Sequence, residues 1–222
     1  MTVTDVNVVK SAIFERPDDA NKGTLGSLLC VCGSYGMAGA AVMSAKGALR
    51  TGIGLAKCAL PRSIYPIVAQ TILESVYYPL SENADGRISK VNVPFLVSES
   101  CKSSATLVGC GLGVCDDTLK IVFSLIENST TPLVLDADAL NCVAKQHEIL
   151  LRKKAPIIIT PHPGEMSRLT GLATPFVNAE RERVALDFTQ KYGVVTVLKG
   201  AGTVIASPNG KVLVNPTGNS GM

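Results

Sequence analysis

The feature that most constrains this chain is a recurrence. Short runs of apolar and β-branched residues end in glycines or a polar turn, and a helical segment follows. Such runs occur in "GSLLCVCG" (26–33), "GLAKCAL" (54–60), "ATLVGCGLG" (105–113), "PLVLDADAL" (132–140), "APIIITPHPGE" (155–165) and "VVTVLKG" (194–200). Several are continuous rather than alternating, as in parallel strands covered on both faces. Helices fall between them. Thr4 is placed to cap a first one, with Val6, Val9 and Ile13 on one face. Residues 40–50 form another, closed by Gly52, and a third starts at Asp116 and Asp117 and reaches about Glu127. Thr174 and Pro175 look like an N-cap and N1 pair, leading into a stripe of Val177, Val184, Phe188 and Tyr192. "TVIASP" and "KVLVNP", separated by Asn209-Gly210, fit a hairpin. The alternation predicts an α/β fold in three layers, helix–sheet–helix, on a mostly parallel central sheet. No linker or repeat interrupts it, so residues 1–222 are expected to form one domain.

Composition narrows the function classes. A chain with 46% hydrophobic residues is not disordered, and no stretch of apolar residues is long enough to span a membrane. A net charge of +3, from 21 basic and 18 acidic residues, gives no basis for a nucleic-acid partner. Trp is absent, so no base-stacking platform is indicated. Seven scattered cysteines show neither C-x-x-C nor zinc spacing; they read as reduced thiols of a cytoplasmic protein, with Cys30 and Cys32 on one strand face. The N-terminus shows no signal-peptide pattern.

In a parallel sheet, ligands bind beyond the carboxyl ends of the strands. Five polar or glycine-rich turns fall there: 33–39, 109–113, 136–141, 160–165 and 199–203. Glycines let backbone N–H groups approach a phosphate. No P-loop fingerprint is present, and "GCGLGVCD" (109–116) has Asp116 where a dinucleotide fingerprint needs its third glycine. His162, stiffened by two flanking prolines, is open to four readings: base, metal ligand, substrate contact or loop residue. Glu165 suits either Mg²⁺ or the N-terminus of the following helix. Lys199 suits a phosphate or a solvated strand end. Asp136 and Asp138, two apart at a strand end, are expected to point opposite ways, one of them toward a helix N-terminus.

Taken in order, "NKGTLGSLLCVCGSYGMAGAAVMSAKGALRTGIGL", "VGCGLG", "LVLDADALN", "TPHPGEMSRL" and "VLKGAGTVI" resemble the NAD(P)H-hydrate dehydratases of the ribokinase-like superfamily, from Asn21 to Met222. The resemblance implies repair of hydrated NADH or NADPH. ADP or ATP, with Mg²⁺, would phosphorylate the 6-hydroxyl, and phosphate would then leave. It implies that Ala41, Gly113 and His162 contact the hydrated cofactor. Lys199, Gly200, Ala201, Gly202 and Thr203 would line the nucleotide site, and Glu165 would lie near Mg²⁺. It further implies a homo-oligomer, commonly a tetramer. Family members continue past "NSGM" into a glycine-rich turn with the catalytic Asp, so the fold is expected to be C-terminally incomplete and the 222-residue chain a poor catalyst. Two rivals remain. One is a small-molecule kinase of the same superfamily, against which His162 stands, because the hydroxyethylthiazole-kinase type more often shows Asn there. The other is a nucleotide-binding module without catalysis.

Overall fold

In the computed structural model, the described residues are Thr2, Val3, Lys10 and 17–218. The first predicted helix, capped by Thr4, lies outside them, as does the terminal "NSGM". The chain forms two compact units, residues 21–157 and residues 1–20 with 158–222.

β1 (Thr2–Val3) belongs to the second unit. The first unit runs β2 (Ser27–Val31), α1 (Ala38–Thr51), β3 (Leu55–Pro61), α2 (Tyr65–Thr71), β4 (Val76–Leu80), α3 (Val93–Cys101), β5 (Ala105–Val108), α4 (Asp116–Asn128), β6 (Leu133–Leu135) and α5 (Asp138–Val143). Its strands lie in the order β6-β5-β2-β3-β4, all parallel. The central β2 carries Leu29, Cys30 and Val31, all buried, which is why its sequence does not alternate. Cys30 pairs in register with Cys58 of β3, and both pack on Ala41 and Ala45 of α1, with Ile64, Val68 and Ile72 beside them. Helix α1 ends as expected, with Gly52 in the left-handed conformation, its N–H returning to Ala48 and Leu49.

Sequence patterning alone did not reveal α2, β4 or α3. "VYYPL" is half exposed and contains Pro79, which a strand tolerates at an edge, and β4 is the last strand of this order. The predicted geometry of Asp136 and Asp138 needs correction. β6 ends at Leu135, the backbone turns at Ala137 (φ 49°), and Asp138 is the first residue of α5. The two aspartates are therefore not alternating strand positions, although Asp138 does serve a helix start.

The second unit holds β7 (Ile157–Ile159, from Ile158 onward), α6 (Pro163–Thr170), α7 (Thr174–Ala179), α8 (Arg181–Tyr192), β8 (Val195–Leu198), β9 (Thr203–Ala206) and β10 (Val212–Asn215). β7 and β8 are parallel, β8–β9 and β9–β10 antiparallel, and β1 joins β10 in parallel. The Asn209-Gly210 turn joins β9 to β10, with Gly210 N–H donating to the Ser207 carbonyl. Thr174 is not an N-cap: Ala173 holds that position, with no side-chain capping bond, and Thr174 starts α7. The predicted stripe is shared by two helices that break at Glu180, yet Val177, Val184, Phe188 and Tyr192 are all buried. Thr189 and Thr196, fully buried, satisfy each other through a 2.8 Å hydrogen bond.

Candidate functional site

In the first unit, the turns after β2, β5 and β6 meet at one rim, because these three parallel strands are neighbours. Gly33 N–H donates to Cys110 O (2.8 Å), Gly109 N–H to Val31 O (3.2 Å) and Asp136 N–H to Val108 O (3.1 Å). Ser34 Oγ donates to Gly111 O at 2.8 Å. Gly109 is required by contact and conformation together. Its φ is 122°, and a Cβ there would stand 1.9 Å from Asp136 O.

The small residues at the start of α1 have a packing reason. A Cβ on Gly33 would come within 3.1 Å of the Ala41 Cβ, and one on Gly111 within 2.7 Å of the Ala40 Cβ. Ala41 itself is 2% exposed, beneath the Gly33 turn. Gly113 lies further along the rim, and its N–H donates to Asp138 Oδ2 at 2.8 Å. That amide is committed within the protein.

Beside this rim, residues 82–86 and Tyr35, within the segment 82–88, border a pocket of about 420 Å³, also lined by Ser63. Sequence reading passed over this segment, although its Asp85-Gly86 pair is a hairpin signal. Cys115, the residue before α4, has a thiol pKa below its usual range. Burial pushes it up, but hydrogen bonds with the Thr118 backbone and side chain, the Asp117 backbone and the Arg87 guanidinium outweigh that.

In the second unit, β7 and β8 are adjacent and parallel, so the turns that follow them lie side by side. Lys199 N–H donates to Pro161 O at 2.8 Å, which places the 199–203 loop against the His162 turn. His162 is the N-cap of α6. Its Nδ1 accepts from Gly164 N–H (3.0 Å) and Glu165 N–H (3.4 Å). Glu165 completes a capping box, its Oε2 accepting from His162 N–H at 2.8 Å. An imidazole whose Nδ1 accepts carries its proton on Nε2. Nε2 lies 3.5 Å from Glu165 Oε1, and the imidazole is about half exposed.

Glu165 is therefore a buried capping carboxylate at the helix start. Among the described residues, no group of three or more His, Cys, Asp or Glu side chains could hold a metal ion. A lone capping carboxylate suits Mg²⁺ only in company with phosphate oxygens and water.

The 199–203 loop has a support that no sequence pattern announced. Arg181, the first residue of α8, sends Nη2 to Leu198 O (2.8 Å) and toward Gly202 O (3.4 Å). A Cβ on Gly200 would stand 2.6 Å from its Nη1. Arg181, Ala201 and Gly202 line a pocket of about 490 Å³, with Val204 and Val214 as its apolar wall. Burial lowers the Arg181 pKa, although a guanidinium keeps its charge at neutral pH.

Comparisons with known proteins bear on the family and the fold. The profile of the NAD(P)H-hydrate dehydratase family matches residues 28–222. The bifunctional NAD(P)H-hydrate repair enzyme Nnr of Thermofilum pendens is 39% identical over 207 residues, which cover 93% of this chain and 40% of that protein. This chain thus spans 40% of that relative's length. The crystal structure of the ADP/ATP-dependent NAD(P)H-hydrate dehydratase from Bacillus subtilis, co-crystallized with ATP/Mg²⁺, is similar at a TM-score of 0.80 and 28% identity, covering 98% of this chain and 73% of that one. A ribokinase-like superfamily protein of Enterococcus faecalis shares the fold, with a TM-score of 0.82 at 21% identity over 100% of this chain and 73% of its own. The architecture is the three-layer, ribokinase-like α/β class with mostly parallel strands, as the alternation of runs and helices predicts. With the profile matching through both units, the chain belongs to the NAD(P)H-hydrate dehydratase family.

Proposed function

We propose that this protein takes part in nicotinamide cofactor repair, dehydrating hydrated NADH or NADPH at the expense of ADP or ATP. Family membership through residues 28–222 carries this reading, and the backbone contact between Pro161 and Lys199 supports it. The same match runs through both compact units, which favours one functional domain.

In this reading Gly113 and His162 contact the hydrated cofactor, and Ala41 belongs to the same site. With Nδ1 engaged by two amides, the protonated Nε2 of His162 acts as a hydrogen-bond donor toward the substrate, not as a proton acceptor. Ala41, being buried, shapes the site through the turn above it. Lys199, Gly200, Ala201, Gly202 and Thr203 hold the phosphates of the nucleotide, with Arg181 bracing the loop from behind. Mg²⁺, when bound, neutralises phosphate charge. Glu165 is the carboxylate of this chain closest to that role, and outer-sphere contact through water would leave its capping bond intact. Phosphorylation turns the poor hydroxide leaving group into phosphate, which is the chemical reason a nucleotide is needed at all.

The B. subtilis structure with ATP/Mg²⁺ supports the adenine nucleotide. Among the described residues no helix is long and apolar enough to cross a membrane, and the seven cysteines are unpaired. Both fit the cytoplasmic setting proposed here. We also propose a homo-oligomer, to be tested by light scattering.

The decisive assay mixes the full-length protein with hydrated NADH, Mg²⁺ and ADP or ATP, and follows the absorbance of the restored reduced nicotinamide. Recovery with either nucleotide is expected. No recovery with both would reject the reading; a product that keeps its phosphate, seen by mass spectrometry, would indicate a kinase instead. Calorimetric binding of ADP without turnover would leave a nucleotide-binding module.

A further inference from the structure

Residues 82–88 lie outside every motif discussed above, yet the fold holds them firmly at the rim of the first unit. An antiparallel bridge between Glu82 and Ile88 closes the hairpin. Within it Asn83 N–H donates to Arg87 O (2.9 Å), and Asn83 Oδ1 accepts from Asp85 N–H and Arg87 N–H (both 3.1 Å). Contacts from outside fix it, among them Tyr35 N–H donating to Gly86 O at 2.9 Å and Asn83 Nδ2 donating to Asp117 Oδ2 at 3.0 Å.

This anchoring lays the Arg87 side chain over Gly113. A Cβ built on Gly113 would stand 2.5 Å from Arg87 Nε and 2.9 Å from its Cδ. Any ligand that reaches Gly113 meets the guanidinium at the same time. Gly113 has no amide to give, since its N–H is bonded to Asp138. Positive charge at this point of the rim must therefore come from a side chain.

Arg87 can supply it. Its side chain is 32% exposed; besides a hydrogen bond with the Cys115 thiol it holds an ion pair to Asp85 that is long (3.4 Å) with an exposed partner (67%). Such a pair is weak and easily exchanged for a stronger anion. A guanidinium has five donors in a planar fork suited to phosphate. Of the other nearby carboxylates, Glu82 accepts from Ser63 (Oγ, 2.6 Å), Asp117 from Asn83 (3.0 Å) and Asp138 from Gly113 (2.8 Å), and none of the three forms an ion pair with Arg87. The adjoining pocket of about 420 Å³ leaves room for the rest of a bulky ligand.

We infer that Arg87 is a substrate-binding residue whose guanidinium takes a phosphate of the hydrated dinucleotide as the ligand passes over Gly113. The inference rests on the proposed contact of Gly113 with that cofactor. It goes further by naming the side chain that recognises the phosphate, for which no motif speaks.

The test compares wild type with Arg87→Gln and Arg87→Lys, with hydrated NADPH as the varied substrate. Binding remote from the reacting ring predicts a KM about 10- to 100-fold higher for Arg87→Gln, with kcat little changed. Arg87→Lys should recover part of the loss, because it keeps the charge without the fork. An unchanged KM in an active Arg87→Gln protein would overturn the inference while leaving the proposed function intact. If Arg87→Gln fails to fold, Arg87→Lys decides, wild-type KM again counting against. If the full-length wild type shows no turnover, the functional reading fails. Calorimetry with NADPH on wild type and Arg87→Gln then settles Arg87 separately, equal affinities overturning its role.

Discussion

His162 shows how one side chain can serve two purposes that substitution can separate. As the N-cap of α6 it accepts two amide bonds, and as a half-exposed imidazole it presents Nε2. His162→Asn should hold stability within about 0.5 kcal/mol, since Asn caps well, whereas His162→Ala should cost about 1 kcal/mol. Both should lose affinity for the hydrated cofactor if the imidazole touches it. Thermal melts beside steady-state kinetics check the pair, and an Asn variant with wild-type KM would remove His162 from the substrate site. Ala137 offers a second test at this scale. It is the one non-glycine residue with positive φ among the described residues, at φ 49° and ψ −115°. Glycine adopts that conformation without strain, so Ala137→Gly should raise stability by about 1 kcal/mol in urea unfolding. His162 could be picked out from the sequence by its prolines. The strain at Ala137 could not, because it arises from fitting Asp136 and Asp138 into the packed turn around Gly109.

Between elements, the network around Glu99, joining β3, β4 and α3, is expected to contribute to the change of stability at acid pH. Glu99 of α3 is 9% exposed and takes a hydrogen bond from Tyr78 of β4 (3.1 Å), one from Lys102 (3.0 Å), and an ion pair from Lys57 of β3 (3.6 Å). The Lys102 hydrogen bond is the main influence that holds the Glu99 carboxyl below its ordinary range, outweighing burial. A carboxyl whose folded pKa is depressed adds stability above its unfolded pKa. That contribution disappears as pH falls through the lower, folded value. Glu99→Gln should therefore flatten the acid side of the stability–pH curve. It should also cost about 3 kcal/mol at neutral pH, because Lys57, with only 13% of its side chain exposed, loses its counter-charge. Denaturant titrations at a series of pH values measure both effects; an unaltered acid slope would show that the network contributes nothing. Neither α3 nor β4 was read from the sequence. Both are short, and Glu99 of α3 and Tyr78 of β4 find their partners only once three separate segments are side by side.

For the molecule as a whole, nucleotide binding should appear as stability. If the 199–203 loop holds ADP, a concentration 100-fold above Kd adds about 2.7 kcal/mol. Arg181→Met, which removes the donors to Leu198 O and Gly202 O, should weaken that gain more than it weakens binding of the hydrated cofactor. Melting midpoints with and without ADP check this, and an equal shift in both proteins would show that Arg181 does not support the loop. The order of buried runs, helices and turns was legible from residue chemistry alone, because a strand covered on both faces must be continuously apolar and a turn must carry glycine or polar residues. That order determined the fold class, the rim turns and the candidates His162 and Lys199, whereas Gly113 was singled out within its turn by the family resemblance. Only tertiary structure decided that Arg87 lies over Gly113, that Asp138 holds the Gly113 amide and that Arg181 braces the 199–203 loop. Each of those contacts joins residues between 17 and 26 positions apart along the chain or across a turn. Local pattern carries no information about such pairs, because their geometry exists only after the strands have paired.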